Sequence, residues 1–368
     1  MRLLSVTDRL SLRGGADLHL RDVLTAAAAR GAAVTLACGR IDADAQPPPG
    51  VRVVVVRGLS RMVADHRRLS KLAPLLEQAE VVHTQNIMNP VALAQISATG
   101  RAIVTVQDHR VFCPGPGKTM PDGSVCQGPM EEARCTACLP DADYRRAVLA
   151  LTCARRDALR GARLVVLSQY MADELAAVGL PGAAVIPPWI PVSEGARGPG
   201  AFFVLGGRLV SHKDSVRAWR AWDAAGRTLP LVIAGEGPLE AELEGTERRG
   251  WLGREALQTL LSQARALLFP TRWQEPFGIL GAEALACGTP VICVLSGGMT
   301  DWAGEGCIHA ESDEEMVEAI RALAAAPGHA VALGAAGRAA IRARFAEAEL
   351  SARLWTLYEE VRCSPLNK

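Results

Sequence analysis

Residues 269–292 read FPTRWQEPFGILGAEALACGTPVI, and this stretch decides the fold. It opens on the end of an apolar run, ARALLF at 264–269, with the composition of a buried strand. Pro276 and Gly278 break that strand, so a helix is expected to begin near Gly278. A further strand follows at 289–294. Within the stretch, Glu275 and Glu283 stand eight positions apart, one before the helix and one inside it. The free N–H groups and positive dipole end at such a helix start suit an anion. Carboxylates that flank an anion site without touching it accept hydrogen bonds from sugar hydroxyls. The stretch reads as a holder for a nucleotide sugar.

Working outward, the same alternation of strand and helix fills the chain. Apolar, β-branched runs at 51–56, 80–83, 102–106 and 164–167 are separated by helical or loop segments. The second half repeats the pattern at 201–205, 230–234, 266–270 and 289–294. Between the halves, PPWIPVSEGARGPG (187–200) is rich in Pro and Gly and reads as a linker. Two doubly wound α/β domains with a cleft between them are expected. A length of 368 residues agrees with two cores rather than one.

Composition sets limits. The chain is 49% hydrophobic with a net charge of +1, which argues against disorder and against a nucleic-acid binder. Residues 1–195 carry 22 Lys/Arg against 18 Asp/Glu, a mild basic excess that the second half reverses. No uninterrupted apolar run is long enough to span a membrane. The start, MRLLSVTDRLSLRGG, is too short in its apolar part and too charged for a secretory signal. A cytoplasmic protein is expected, with a peripheral contact at the inner membrane face as an open alternative. That contact would use the basic stretch DYRRAVLALTCARRDALRGAR (143–163), which reads first as a solvated helix face.

Several segments in their order resemble the retaining GT-B glycosyltransferases of the family 4 type. The donor-site signature is the stretch at 269–292 followed by Ser296-Gly297-Gly298. GGADLHL (14–20) resembles the glycine-rich loop that opens the first helix, and AEVVHTQN (79–86) and AIVTVQDHRVFCP (102–114) resemble two strands of the first domain. LVVLSQYMADELAAVGL (164–180) and VIPPWI (185–190) resemble the approach to the linker, and FVLGGRLVSHKD (203–214) the loop with the phosphate-binding cations. The resemblance covers nearly the whole chain. It implies a GT-B fold with an acceptor-binding domain at 1–190, a nucleotide-sugar domain at 191–345, and a last segment, 346–368, crossing back toward the first domain.

It also implies roles. A nucleoside diphosphate leaves with growing negative charge on its β-phosphate, which fixed cations and helix N-termini neutralise in such enzymes without a metal cofactor. Arg208 and Lys213 are the candidates, with Glu275 accepting from the sugar of the donor and Glu283 from its ribose. Phe277, Gly278 and Ile279 would present backbone N–H groups, and Gly14 and Gly15 would bring backbone close to the diphosphate. The plain alternative for the two glycines is a strand-to-helix turn. Relatives often carry His after the Thr-Val of the strand at 102–106; here Gln107 stands there, able to hydrogen-bond but not to titrate near neutrality. Asp108 and His109 then become candidates for acceptor or sugar contact. The expected donor is a UDP- or GDP-sugar and the expected acceptor a hydroxyl on a glycan, a lipid-linked sugar or a small natural product. A sugar-nucleotide 2-epimerase and a non-catalytic sugar-nucleotide-binding subunit remain alternatives on the same fold.

Four of the ten cysteines form a second constellation. Cys113, Cys126, Cys135 and Cys138 follow the spacing C-x12-C-x8-C-x2-C in a loop rich in Pro and Gly. In a cytoplasmic protein this favours thiolate metal ligation over disulfides, and four sulfurs suit structural zinc. An Fe–S cluster and four free thiols are the alternatives. Two Asp-Ala-Asp strings, at 42–44 and 141–143, imitate a metal-binding pair but read as solvated loops.

Overall fold

The computed structural model describes residues 1–194 and 198–363. Of the linker read over 187–200, residues 195–197 lie outside the described residues, as do 364–368 of the terminal segment. The chain divides into two compact units. One comprises Met1–Pro121, Val125–Pro187 and the chain from Ala348 onward; the other comprises Asp122–Ser124 and Pro188–Glu347.

The first unit is built on strands β1 (Arg2–Thr7), β2 (Ala33–Cys38), β3 (Arg52–Val55), β4 (Val81–Gln85), β5 (Ala102–Val106), β6 (Arg163–Val166) and β7 (Ala184–Val185). Helices α1 (Gly15–Ala29), α2 (Leu72–Gln78), α3 (Pro90–Ser97), α4 (Glu132–Cys135), α5 (Ala142–Ala158) and α6 (Gln169–Ala177) connect them. The strands form one parallel sheet in the order β3-β2-β1-β4-β5-β6-β7. Every residue of β4 and of β5 is buried, so neither shows the alternation of a half-exposed strand; in β4 the buried residues include His83, Thr84 and Gln85. The sheet order reverses between β1 and β4, and ligands of such sheets bind outside the strand ends at that reversal. β1 lies in the segment whose short apolar run, LLSV, is flanked by Arg2 and Asp8. It is the strand on which the sheet turns.

The second unit contains β8 (Phe203–Gly206), β9 (Leu231–Ala234), β10 (Glu247–Arg248), β11 (Ala266–Phe269), β12 (Val291–Cys293) and β13 (Cys307–His309). They run parallel in the order β10-β9-β8-β11-β12-β13, reversing between β8 and β11. Helices α7 (Ser215–Ala224), α8 (Arg254–Gln263), α9 (Ile279–Ala286), α10 (Asp313–Ala325) and α11 (Pro327–Arg344) cover it.

The last helix, α12 (Glu347–Cys363), packs into the first unit. Tyr358, fully buried, shares a 2.7 Å hydrogen bond with Nδ1 of His83 in β4, and Nε2 of that ring meets Thr105 Oγ1 in β5 at 2.7 Å. Arg30 donates to the Ser351 carbonyl and lies over the Trp355 ring. Among the described residues no single helix is long and apolar enough to cross a membrane.

Candidate functional site

In the second unit the candidate residues gather at the sheet reversal. Arg208 and Lys213 lie on the loop leaving β8, and Glu275, Phe277 and Gly278 on the loop leaving β11. Gly278 caps α9 at φ 81°, a left-handed conformation that favours glycine, and α9 starts at Ile279. In the first turn of α9 the Gly281 and Ala282 N–H groups donate to the Gly278 carbonyl, and no acidic residue occupies that turn. The fold fixes this turn tightly. A Cβ on Gly281 would stand 2.1 Å from the Trp302 ring, and the Trp302 indole donates to the Phe277 carbonyl. A Cβ on Gly297, at φ 53°, would stand 2.5 Å from the Glu275 carbonyl, which accepts from Gly298 N–H. The Ser-Gly-Gly at 296–298 therefore sets the height of Glu275.

Two ion pairs organise the charges here. The Lys213 ammonium is bonded to Glu275, whose side chain is 6% exposed. The same ammonium sits 4.2 Å from the centre of the Trp273 ring, a cation–π contact. Burial draws Lys213 below the usual lysine pKa, and Glu275 opposes that shift. His212 is pulled down to about 4 by burial, with Lys213 and Arg208 adding to the effect, so it is a neutral neighbour. Arg208 is exposed. The second pair joins Arg254 Nε to Glu283 Oε1 at 3.1 Å, with Glu283 buried inside α9 and Arg254 at the first position of α8. Arg254 and Trp273 were not among the expected residues. Trp273 lies two positions before Glu275 in the sequence, whereas nothing local marks Arg254, 29 positions from its partner.

In the first unit, Gly14 and Gly15 begin α1, on the loop from β1, and Gln107 follows β5. Gln107 is buried; its amide nitrogen lies 2.7 Å from Gln85 Oε1 and 3.2 Å from His19 Nδ1. Gln85 and His19 thus belong to the same polar cluster, which the sequence did not suggest. Neither Gln107 Oε1 nor Gln85 Nε2 has a hydrogen-bond partner, so the cluster holds an unused acceptor and donor. Asp108 accepts from the Arg110 N–H at 2.8 Å and pairs with its side chain. His109 is 3% exposed, bonded to Tyr170 Oη at 3.1 Å and packed against Phe112. Nearby Asp8 is pushed up to about 6, chiefly by burial.

The arrangement of the four cysteines lends the expected structural zinc no support. Among the described residues no group of three or more His, Cys, Asp or Glu side chains is arranged to hold a metal ion. Cys113, Cys126, Cys135 and Cys138 form no disulfide. Cys113 Sγ accepts from the Lys118 N–H, Cys138 Sγ faces the Thr119 carbonyl, and burial pushes the Cys135 thiol up. Hydrogen bonds within the loop thus engage two of the sulfurs.

The basic stretch 143–163 also differs from a charged face. Arg145 and Arg155 are buried, the first donating to the Leu139 and Pro140 carbonyls and the second to Met62 and Met88. Arg146 and Arg160 pair with Asp143 and Asp157. Of the Asp-Ala-Asp strings, 141–143 is not a loop: Asp141 caps α5, accepting from Tyr144 N–H at 2.7 Å.

Residues 13–194 match the family described as Glycosyltransferase Family 4, and residues 190–340 match Glycosyl transferases group 1. The chain belongs to the glycosyltransferases of the GT-B fold. This glycosyltransferase is 35% identical over 133 residues to a Mycobacterium tuberculosis protein named GDP-mannose-dependent alpha-(1-6)-phosphatidylinositol dimannoside mannosyltransferase. That match covers 33% of this chain and 35% of the relative. An alpha-maltose-1-phosphate synthase of M. tuberculosis is 30% identical over 115 residues, covering 28% and 30%. The aligned stretches span about a third of the curated relatives' length. Among solved structures, Anabaena HepE in complex with UDP and glucose superposes with a TM-score of 0.69 at 14% identity, covering 98% of this glycosyltransferase and 100% of that chain. WaaG, a glycosyltransferase involved in lipopolysaccharide biosynthesis, gives 0.67 at 17% identity, covering 98% of each. At these identities the likeness is one of fold.

Proposed function

We propose that the protein is a retaining glycosyltransferase that moves a hexose-type sugar from a UDP- or GDP-sugar to a hydroxyl acceptor, without a metal cofactor. The observation that carries this reading is the pairing of Lys213 with Glu275 at the start of α9, with Glu283 buried four residues inside that helix. Cation, carboxylates and helix N–H groups are the three components a sugar diphosphate requires. In the reaction the bond from the anomeric carbon to the phosphate oxygen breaks and its electron pair stays on the phosphate. The acceptor oxygen bonds the same face of the anomeric carbon, and its proton passes to the departing phosphate. Arg208, Lys213 and the N–H groups of Phe277, Gly278 and Ile279 stabilise that phosphate. Glu275 accepts from the hydroxyls of the transferred sugar and Glu283 from the ribose.

In the first unit, Gly14 and Gly15 offer backbone, and Gln107 and Asp108 offer hydrogen bonds, to the substrates. The free acceptor on Gln107 supports that assignment. UDP and GDP are favoured because relatives carry those nucleotides in their names or structures. A glycan, a lipid-linked sugar and a small natural product are the acceptor classes to be tried.

The test is thermal stabilisation by UDP, GDP, ADP and their sugar conjugates, followed by transfer assays. A true donor at a hundredfold excess over its Kd adds roughly 2.7 kcal/mol. One nucleotide should stand out, and Arg208→Ala should weaken its effect. No response to any of them would sink the assignment.

A further inference from the structure

Two loops of the second unit are clasped residue by residue. Loop 207–214 leaves β8 and loop 270–278 leaves β11, the two strands between which the sheet reverses. Thr271 Oγ1 donates to the His212 carbonyl at 3.4 Å. The His212 ring lies 5.5 Å from the Trp273 ring, and Arg272 pairs with Asp214 at 3.7 Å. Amid these contacts the Lys213 ammonium is bonded to Glu275 and stands 4.2 Å from the centre of the Trp273 ring.

Both loops are braced on their own side. The Lys213 and Asp214 N–H groups donate to the Val210 and Ser211 carbonyls, each at 3.0 Å, which fixes the turn that carries the lysine. Gln274 is buried; it accepts from the Gly297 N–H at 3.0 Å and donates to the Arg272 carbonyl at 3.2 Å. Trp273 therefore stands between two anchored neighbours. His212 beside it is neutral, so Lys213 is the cation its ring faces. The two partners of Lys213 act differently. Glu275 takes one ammonium N–H and cancels the charge, whereas an indole face attracts a cation and takes neither. A phosphate that gathers charge as its bond breaks needs both. Glu275 gives up part of its hold when it turns to sugar hydroxyls; the ring does not.

We propose that Trp273 is a positioning residue of the transfer reaction: its indole face keeps the Lys213 ammonium in place, with its N–H groups free, for the oxygens of the departing phosphate. The inference rests on the donor-site reading given above. Trp273 acts here through Lys213 and not by touching the substrate. Because the phosphate charge is largest in the transition state, the contact bears more on turnover than on affinity.

The experiment replaces Trp273 of the full chain, at that position alone, by mono-, di-, tri- and tetrafluorotryptophan. Fluorine drains the ring face of negative potential while nearly keeping its shape, so thermal midpoints should stay near that of wild type. Turnover should fall stepwise along the series, by about tenfold at four fluorines, and affinity for UDP or GDP by a smaller factor. In the Lys213→Met background the same series should be flat. A series flat in both turnover and affinity, with loss only in Trp273→Leu, would show a packing role and overturn the proposal while leaving the donor site standing. An equal fall in the Lys213→Met background would show that the ring meets the substrate itself, and would also overturn it. A wild type that binds neither UDP nor GDP fails the donor-site reading, and this inference with it.

Discussion

Replacing Glu275 by Gln gives the most discriminating prediction, because it separates stability, nucleotide binding and turnover. The substitution keeps the shape of the side chain and removes its charge. Lys213, 21% exposed at the side chain, then loses its ion-pair partner while its contact with the Trp273 face remains. Removing one partner of a fully buried pair costs about 3–5 kcal/mol. The partial exposure of Lys213 and the surviving cation–π contact, worth about 0.5–2 kcal/mol, reduce the expected loss to roughly 1–3 kcal/mol. Binding of the nucleoside diphosphate should move the other way. Glu275 neutralises Lys213, and an incoming phosphate must compete with it. Without that competition the diphosphate itself should bind equally well or up to about tenfold more tightly, about 1.4 kcal/mol. Turnover should nevertheless fall by at least about a hundredfold, on the scale of losing one preorganised transition-state contact. Denaturant unfolding, calorimetric titration with the preferred nucleotide and a transfer assay measure the three quantities. Weaker diphosphate binding by the folded variant, with turnover retained, would refute the reasoning about both residues.

Other consequences are as specific. Arg254→Ala leaves the buried Glu283 without its 3.1 Å partner, so affinity for the ribonucleotide should fall about tenfold or more, with partial recovery in Arg254→Lys. The preference for ribose over 2′-deoxyribose should shrink in both Arg254→Ala and Glu283→Ala; loss in the second alone would free Arg254 from any such role. Gly297→Ala drives a Cβ to within 2.5 Å of the Glu275 carbonyl and should destabilise the protein by about 1–3 kcal/mol while weakening donor binding, read by thermal shift.

His83 predicts a pH dependence. Burial, with a smaller contribution from His19, pulls it down to about 3, below its unfolded value. Its stability contribution is therefore complete above the unfolded pKa and lost as the pH falls toward the folded one. The slope is about 1.4 kcal/mol per pH unit, or roughly 2 kcal/mol between pH 6.5 and 5. His83→Gln should flatten that part of the unfolding profile. Asp8, raised to about 6, contributes in the opposite sense and cancels when the two proteins are compared at each pH.

The sequence by itself determined the two parallel α/β units, because strands buried on both faces appear as unbroken apolar runs and the helices between them as Pro- or Gly-bounded segments. It also brought Glu275, Gly278 and Glu283 together, since one loop and one helix carry all three and eight residues of chain fix their spacing. β1 and β2 were not legible, because the apolar run of β1 is short and β2 follows an Ala-rich helix without a break in composition. Tertiary structure alone decided what each charge faces. Lys213 meets Glu275 across 62 residues, Arg254 meets Glu283 across 29 and His83 meets Tyr358 across 275. Such pairs depend on which strand ends lie side by side, and strand order leaves no periodic trace in the chain. The cysteines make the same point: their spacing is local and suggests ligation, but the direction of each sulfur is set by the packing of the whole loop.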